Sequence, residues 1–321
     1  MRVRGLHTAV LVVAGFIIIV SAVRKVNAQE AVTIDFAEAA GKNYDKAEFR
    51  LWFPENVSRI QAVVILMPGS NGDGRSSVDE LVWQEFATKY NLALVGCRFT
   101  DKPHDQSFIE HYVNVSEGSG QALINALAGL AGPSGHPELA NAPLLLWGMS
   151  AGGEFNFEFV AWKPERVVAF VVNKGGIYYS ALVRPAARSV PGMLFTGGKD
   201  MEFRTNIIVG LFAVNRRAGA LWALAEEPNA GHEEGRSHDM ALMFFEDVLP
   251  LRLHQSLSNG EEPIMLKPLK EESGFIGDLK TKTIQKQSDA SAPDYPTAWL
   301  PTERTARAWQ MLISDKPFGQ H

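Results

Sequence analysis

The sequence predicts an α/β protein with a mostly parallel, doubly wound sheet and helices on both of its faces. Two observations carry this prediction. Short apolar runs of strand length recur along the chain, and stretches with apolar residues at helical spacing separate them. Strands that are apolar throughout are typical of a parallel sheet buried on both sides, and their alternation with helices is typical of doubly wound folds.

The composition fits one catalytic-size domain with a large core. Of the 321 residues, 46% are hydrophobic and 21% are charged, which is the balance of an ordinary globular protein. The formal net charge is −5, and no Lys- and Arg-rich cluster interleaves with aromatic residues, so we expect no nucleic-acid partner. The single cysteine, Cys97, excludes an intramolecular disulfide and is interpreted as a small buried hydrophobe.

The N-terminal residues have the features of a secretory signal peptide. Arg2 and Arg4 supply positive charge, residues 9–20 are almost wholly apolar, and residues 26–28 offer the small side chains that a signal peptidase needs. We predict a signal peptide over residues 1–28 and a secreted or periplasmic mature protein with no stable membrane span. A retained anchor is the alternative, although the apolar stretch is shorter than the roughly 20 residues that cross a bilayer.

Six apolar runs are interpreted as strands of the parallel sheet, at 62–67, 92–97, 143–147, 167–172, 192–196 and 221–225. Upstream of them, the alternating pattern at 47–54 predicts an antiparallel leading strand. Helical spacing of apolar residues predicts helices around three groups, namely Val78, Leu81, Val82 and Phe86, then Leu123, Ala126, Leu127 and Leu130, then Phe155, Phe159 and Trp162.

The pattern of a buried core fades near Leu253. We predict a catalytic domain over residues 30–253 and a C-terminal extension over residues 254–321, which includes an amphipathic helix that starts after Pro301. The extension is expected either to pack on the core as a strap or to form a lid over the site.

The stretch WGMSAGG, a serine between glycines, follows the apolar run at 143–147. Ser150 therefore stands where a strand turns sharply into a helix, and Gly148 and Gly152 permit the close chain approach that this turn requires. This arrangement is a nucleophile elbow. At this point the chain resembles the α/β-hydrolase superfamily, most of all its secreted polyhydroxybutyrate-depolymerase and feruloyl-esterase type. The resemblance covers roughly residues 45–250 and implies the α/β-hydrolase fold.

A serine hydroxyl needs a base to accept its proton and an acid to orient that base. In the resembled fold these residues follow in the order serine, acid, histidine. Asp200 and His232 lie in the loops after the last two apolar runs, so we expect Ser150, Asp200 and His232 to form a catalytic triad. Glu202 is the alternative acid. His238 is the alternative histidine, and we interpret it as a surface or helix-end residue.

Acyl transfer also needs backbone N–H groups that stabilise the developing oxyanion. The resemblance implies one from the residue after the nucleophile, Ala151, and one from the loop after an early strand. That loop is MPGSNGDG, in which Ser70 is the preferred donor. Pro68 stands where the family usually has a histidine, so Gly69 and Asn71 remain alternatives.

The spacing of the histidines does not favour a metal site. His232 and His238 are six residues apart and do not form an HExxH motif, and His104 and His111 are seven apart without an evident third ligand. We therefore expect no metal and no other cofactor. With Asp101, the earlier two histidines are candidates for the rim of a pocket.

These features together predict a serine carboxylic ester hydrolase that acts through an acyl-serine intermediate. The expected partner is a small-molecule or polymer-borne ester. The alternatives are a serine peptidase on the same fold and a non-catalytic binding protein. A peptidase would normally carry a gating domain, and the sequence shows no propeller-like repeat.

Overall fold

A large sheet forms the centre of the protein. The computed structural model describes residues 32–254, 265–289 and 295–318. The strands of this sheet are β1 (Val32–Glu38), β2 (Lys46–Phe53), β3 (Val63–Met67), β4 (Ala93–Thr100), β5 (Leu144–Gly148), β6 (Val167–Asn173), β7 (Gly192–Gly197) and β8 (Trp222–Glu227). Their order is β1-β2-β4-β3-β5-β6-β7-β8. Strands β3 to β8 are parallel, whereas β2 is antiparallel to both of its neighbours.

All six apolar runs form parallel strands, so the predicted α/β class with a doubly wound sheet is confirmed. The strand ends lie within two residues of the predicted ones except at β4, which continues to Thr100. The leading strand is β2, antiparallel as predicted. Strand β1 was not predicted. It lies at the edge of the sheet, where Ile34 and Phe36 are only partly buried against the core, so its apolar pattern is short.

Helices cover both faces of the sheet. They are α1 (Leu81–Tyr90), α2 (Ser119–Ser134), α3 (Ala151–Trp162), α4 (Pro185–Arg188), α5 (Glu202–Arg217), α6 (Ser237–Arg252) and α7 (Glu303–Ile313). Buried residues of α2, α3, α4 and α5 belong to the core on one face, and those of α1, α6 and α7 belong to the core on the other. The parallel strands therefore have apolar neighbours on both sides.

The predicted apolar stripes of α2 and α3 are confirmed, but that of α1 is different. Val78 lies in a 3₁₀ turn that precedes α1, and Leu81 is 72% exposed. Helix α1 buries Trp83 and Phe86 instead, while Val82 also faces solvent. Because a 3₁₀ turn has three residues per turn, the spacing counted across it does not continue the phase of the α-helix.

The described part of the C-terminal extension packs on the face that carries α6. Three short strands form a second, antiparallel sheet: β9 (Phe275–Gly277), β10 (Ile284–Lys286) and β11 (Ala298–Leu300). Their run lengths are too short to give a sequence pattern, and they were not predicted. Helix α7 begins just after Pro301, as predicted.

Helix α7 is attached to the core by polar contacts at its start and by an indole near its end. Thr302 accepts a hydrogen bond from the Thr305 N–H at 3.1 Å and so caps the helix. Both threonine hydroxyls donate to Asp247 of α6. Trp309 is fully buried, and its Nε1–H donates to the Leu224 carbonyl of β8 at 2.7 Å. These contacts tie the extension to the edge of the main sheet.

Within residues 32–254, 265–289 and 295–318, no helix has the length and apolar character that a membrane crossing requires. The predicted signal peptide, residues 1–28, lies outside the described residues and stays a prediction.

Substitution of Trp309 tests how much the extension stabilises the domain. Trp309→Ala is expected to lower the free energy of unfolding by about 3–5 kcal/mol, because it removes a buried indole and leaves a cavity. Arg307 is the control, since its side chain is 55% exposed on the same helix. Arg307→Ala should change the free energy by less than about 0.5 kcal/mol. Urea denaturation measures both, and equal losses would contradict the packing role of Trp309.

Candidate active site

Ser150 lies in the tight turn between β5 and α3. Its backbone has φ +54° and ψ −127°, and its N–H donates to the carbonyl of Asn173, the last residue of β6, at 2.8 Å. A Cβ on Gly148 would collide with the Gly152 carbonyl, and a Cβ on Gly152 would collide with the Met67 carbonyl. Both positions therefore require glycine, and the turn places the serine side chain at the carboxyl edge of the sheet.

The structure brings the three predicted triad residues together. Ser150 Oγ lies 3.0 Å from His232 Nε2, and His232 Nδ1 lies 2.9 Å from Asp200 Oδ2. With Asp200 ionised, the imidazole carries its proton on Nδ1, and Nε2 is left to accept the serine proton. The three side chains come from the loops after β5, β7 and β8, whose carboxyl ends meet at one edge of the sheet.

Asp200 is buried and held by several donors. Its side chain is 2% exposed, and its Oδ1 accepts the Met201 N–H at 2.7 Å and lies 3.4 Å from an Arg204 guanidinium nitrogen. Burial acts to raise the pKa of Asp200, but the hydrogen bonds from His232 and Met201 and the charge of Arg204 hold it below its ordinary value. The carboxylate is therefore ionised at neutral pH and can orient the imidazole.

The two alternative residues lie elsewhere. Glu202 is the exposed first residue of α5. His238 is near the start of α6, and its ring packs edge-on against Trp83 and Trp147, with centroid distances of 4.9 and 5.5 Å. The structure places it at a helix end, as predicted, with the side chain 15% exposed.

The loop after β3 supplies the other side of the site. The Asn71 N–H donates to the Tyr112 hydroxyl at 3.2 Å, so this amide is already engaged. Within the described residues, the Ala151 and Ser70 N–H groups have no main-chain acceptor. Gly69 lies directly against the elbow, with its ideal Cβ position 3.6 Å from Ser150 Cβ. The contact to Tyr112 disfavours Asn71 as an oxyanion donor and leaves Ser70, with Gly69 as the alternative.

Asp101 and two histidines brace this loop. The Asp101 N–H donates to Asn71 Oδ1 at 2.7 Å, and Asp101 Oδ1 accepts the Tyr112 N–H at 3.0 Å. Asp101 Oδ2 lies 3.2 Å from His104 Nε2, and the rings of His104 and His111 stack at 4.4 Å. In the part of the chain that the structure describes, no group of three or more His, Cys, Asp or Glu residues could hold a metal ion.

A cleft of about 480 Å³ opens at Ser150 and His232. The loop after β3 forms one wall, and Trp147 and Glu234 contribute to the others. The volume is in the range of small-molecule sites. No residue of the described part of the extension lines the cleft, and neither does a described Lys or Arg. The described part of the extension packs beside the main sheet and forms no wall of this cleft.

Comparison with known proteins agrees with this architecture. No family model matches the sequence, and no curated protein sequence matches it significantly. Among solved structures, a ferulic acid esterase superimposes with a TM-score of 0.51 at 10% identity, over 68% of this chain and 98% of that one. The chain has the α/β-hydrolase fold.

Two further solved structures are similar to this α/β-hydrolase fold. The poly(3-hydroxybutyrate) depolymerase LpqC from Bordetella parapertussis gives a TM-score of 0.49 at 15% identity, over 68% of this chain and 89% of its own. A bacterial heroin esterase gives a TM-score of 0.49 at 14% sequence identity, over 68% of this chain and 84% of its own. The sheet order and the superposition on the ferulic acid esterase confirm the fold that the nucleophile elbow implied.

The α/β-hydrolase fold explains why these loops meet. Strand β3 lies between β4 and β5, so the chain winds to opposite sides of the sheet from this point. The loop after β3 and the elbow after β5 therefore border the same crevice, which is where doubly wound sheets bind ligands. Asp200 and His232 reach this crevice from the two strands at the far edge.

The interpretation of the sequence missed residues that hold the site in place. Arg204 stands four residues after Asp200, a spacing that pairs opposite charges on a helix and could have indicated the contact. Tyr112 and Asn173 gave no comparable signal, because their contacts to Asn71 and Ser150 join segments distant in sequence.

Glu154 was also missed, although it lies one helical turn after Ser150. It is 4% exposed, and its Oε1 accepts the N–H groups of Gly176 and Ile177 in the loop after β6. Its Oε2 has no hydrogen-bond partner within the described residues. Burial raises the pKa of Glu154 to about 7, with Glu110 adding to the rise and the two amides and Arg204 opposing it.

The raised pKa of Glu154 makes the stability of the protein depend on pH. A carboxyl whose pKa rises on folding contributes stability at low pH, and that stability is lost as the pH rises from its unfolded value of about 4.3 towards 7. Glu154→Gln removes this loss. Between pH 5 and pH 8, the free energy of unfolding of the variant should rise relative to the parent by roughly 2 kcal/mol.

Urea denaturation of both proteins at the two pH values measures this difference. Glu85→Gln is the matched control, since Glu85 is exposed on α1. The control should keep the same difference from the parent at both pH values. A Glu154→Gln difference that is independent of pH would contradict the assignment.

Proposed function

We propose that the chain is a serine hydrolase that cleaves carboxylic esters through an acyl-serine intermediate. One observation carries the proposal. Ser150 Oγ, His232 and Asp200 form an unbroken chain of contacts at 3.0 and 2.9 Å, at a nucleophile elbow beside two unengaged N–H groups. A nucleophile, an oriented base and oxyanion donors are the three requirements of acyl transfer.

In the acylation step, the Ser150 oxygen attacks the ester carbonyl carbon while its proton passes to His232 Nε2. The carbonyl electrons move onto oxygen, and the Ala151 and Ser70 N–H groups stabilise that charge. The tetrahedral intermediate collapses as the C–O bond to the alcohol breaks. His232 gives its proton to the departing oxygen, and the acyl group remains on Ser150.

Deacylation repeats these steps with water. His232 accepts a proton from water, whose oxygen attacks the acyl carbon, and the same N–H groups stabilise the second tetrahedral intermediate. The bond to Ser150 Oγ then breaks, His232 returns a proton to the serine, and the acid leaves. Asp200 stays ionised throughout and stabilises the imidazolium that forms twice in each cycle.

The cleft favours esters without a negative charge close to the scissile bond. Asp73 and Glu234 line it, and no described Lys or Arg does so to pair with an anion. The proteins with the same fold include a ferulic acid esterase, whose name supports ester cleavage as the reaction to test first. We propose ester rather than peptide cleavage for two reasons. Ester bonds are more reactive towards a serine nucleophile than peptide bonds, and no gating element that would select peptides stands over the cleft among the described residues.

The proposal includes export to the periplasm or the exterior. It rests on the charged, apolar and small-residue regions of residues 1–28, as described above. The natural substrate would then be an ester outside the cytoplasm, carried either by a small molecule or by a polymer.

Hydrolysis of p-nitrophenyl acetate and butyrate by residues 29–321 tests the proposal. Ser150→Ala should lower kcat by roughly 10⁴-fold or more with the fold retained, because it removes the nucleophile. Ser76→Ala, at an exposed serine in the 3₁₀ turn that precedes α1 and outside the cleft, should behave like the parent. A fluorophosphonate probe should label the parent at Ser150. Equal rates for the parent and Ser150→Ala, with no labelling, would contradict the proposal.

The Tyr112 hydroxyl tests the role of the oxyanion loop. Tyr112→Phe removes the acceptor of the Asn71 N–H and should lower kcat/KM roughly tenfold, because Ser70 is no longer held in place. Tyr178→Phe is the matched control, since that buried hydroxyl has no partner within the described residues. Unchanged kinetics for Tyr112→Phe, or equal losses for both variants, would argue against this role.

A further inference from the structure

A buried ion pair lies beneath the candidate triad. Lys174 directly follows β6, and its side chain is fully buried. Its Nζ lies 3.0 Å from Glu227 Oε2 and donates to Asn173 Oδ1 at 3.2 Å. Glu227 is the last residue of β8, and its side chain is 7% exposed. Neither residue lines the cleft, so the pair is not placed to contact a substrate.

Glu227 holds both ends of the loop that carries His232. Its carbonyl accepts the Ala230 N–H at 3.2 Å at the start of the loop. At the end of the loop, its Oε1 accepts the Arg236 N–H. Gly235 packs directly against the carboxylate with φ +56°, a conformation that few other residues adopt. The shape of the loop therefore depends on where this carboxylate lies.

Lys174 fixes that carboxylate relative to the other two triad loops. The residue before it, Asn173, accepts the Ser150 N–H. The Lys174 Cε lies 3.1 Å from the position that a Cβ on Gly197 would occupy. That same position is 2.6 Å from the Gly231 carbonyl oxygen. Gly197 in turn accepts the Asp200 N–H at 3.1 Å. One lysine thus contacts the strand ends that support the nucleophile, the acid and the histidine.

We infer that Lys174 and Glu227 are positioning residues that set the His232 loop against Asp200 and Ser150. The inference rests on the proposed function. Burial of two charges carries a desolvation cost, and apolar residues of the same volume would fill the space without it. An ion pair with hydrogen bonds fixes direction as well as distance, which apolar contacts do not. Catalysis at a triad needs this fixed geometry.

The main test replaces both members of the pair. Lys174→Met/Glu227→Gln removes one positive and one negative charge, so the net charge of the site is unchanged. The amide oxygen introduced at position 227 can still accept the Arg236 N–H, whereas the link to position 174 is lost. We expect kcat for p-nitrophenyl acetate to fall about tenfold or more while KM stays within about twofold, because the base is misplaced and the cleft is intact.

A spectroscopic readout reports the triad geometry without turnover. A proton shared between His232 Nδ1 and the Asp200 carboxylate should give a far-downfield NMR signal, which is assigned by its loss in His232→Gln. The signal should weaken or disappear in the double variant. A pair that served only stability would leave this signal in place in the folded protein.

The control is a second ion pair near the opposite end of β8. Arg216, near the end of α5, pairs with Glu271 and donates to the Ala220 carbonyl just before β8. Arg216→Met/Glu271→Gln should lower stability and leave kcat and the NMR signal unchanged. The inference is overturned if Lys174→Met/Glu227→Gln keeps both the parent kcat and the parent signal, or if the control loses as much kcat.

A glycine pair keeps the inference testable if the double variant does not fold. In Gly235→Ala, the added methyl would press on the Glu227 carboxylate, while in Gly219→Ala it would meet nothing within 4 Å. Both glycines have positive φ, so both variants carry backbone strain. We expect only Gly235→Ala to weaken the downfield signal and to lower kcat. Equal behaviour of the two variants would overturn the inference.

These outcomes separate the inference from the proposed function. If the parent neither hydrolyses esters nor reacts with a fluorophosphonate, the proposed function fails. The NMR comparison of the parent, the double variant and the control still decides whether the pair positions His232, because it requires no substrate.

Discussion

The geometry of the site depends on the close contact of two loops at the nucleophile elbow. Gly152 lies against the Met67 carbonyl, which leaves no room for a side chain, and the Asn173 carbonyl holds the Ser150 N–H. These contacts force a positive φ at Ser150 and bring the loop after β3 beside it. Ser150 and the N–H groups of the loop after β3 are neighbours for this reason, and the parallel arrangement of β3, β5 and β6 maintains it.

The second notable feature is the number of charged side chains buried around this turn. Glu154 binds two amides of the loop after β6, and Lys174 and Glu227 join the ends of β6 and β8. Loops at the carboxyl edge of a parallel sheet expose many main-chain N–H groups that helices and strands do not satisfy. Buried carboxylates satisfy several of these donors at once. These carboxylates thereby fix the loops around Ser150, Asp200 and His232.

The described part of the C-terminal extension packs on the main sheet and forms no wall of the cleft. Its indole and its helix cap attach to β8 and α6 from the side. Strand β8 is the outermost strand of the main sheet and carries the His232 loop at its end. Covering an edge strand protects its unpaired groups and limits its movement. The described part of the extension therefore covers the edge strand and lines no part of the cleft.

The sequence by itself determined the fold class, the six parallel strands and the identity of the residues that meet at the elbow. It could do so because strands buried on both faces are apolar throughout, and because the glycines around Ser150, and the positions of Asp200 and His232 after later strands, are local patterns. The tertiary structure alone decided which contacts hold these residues. The Tyr112 contact to Asn71 and the pairing of Lys174 with Glu227 join segments far apart in the chain. Such contacts leave no periodic signal in one sequence, since their partners are set by how the loops pack at the sheet edge.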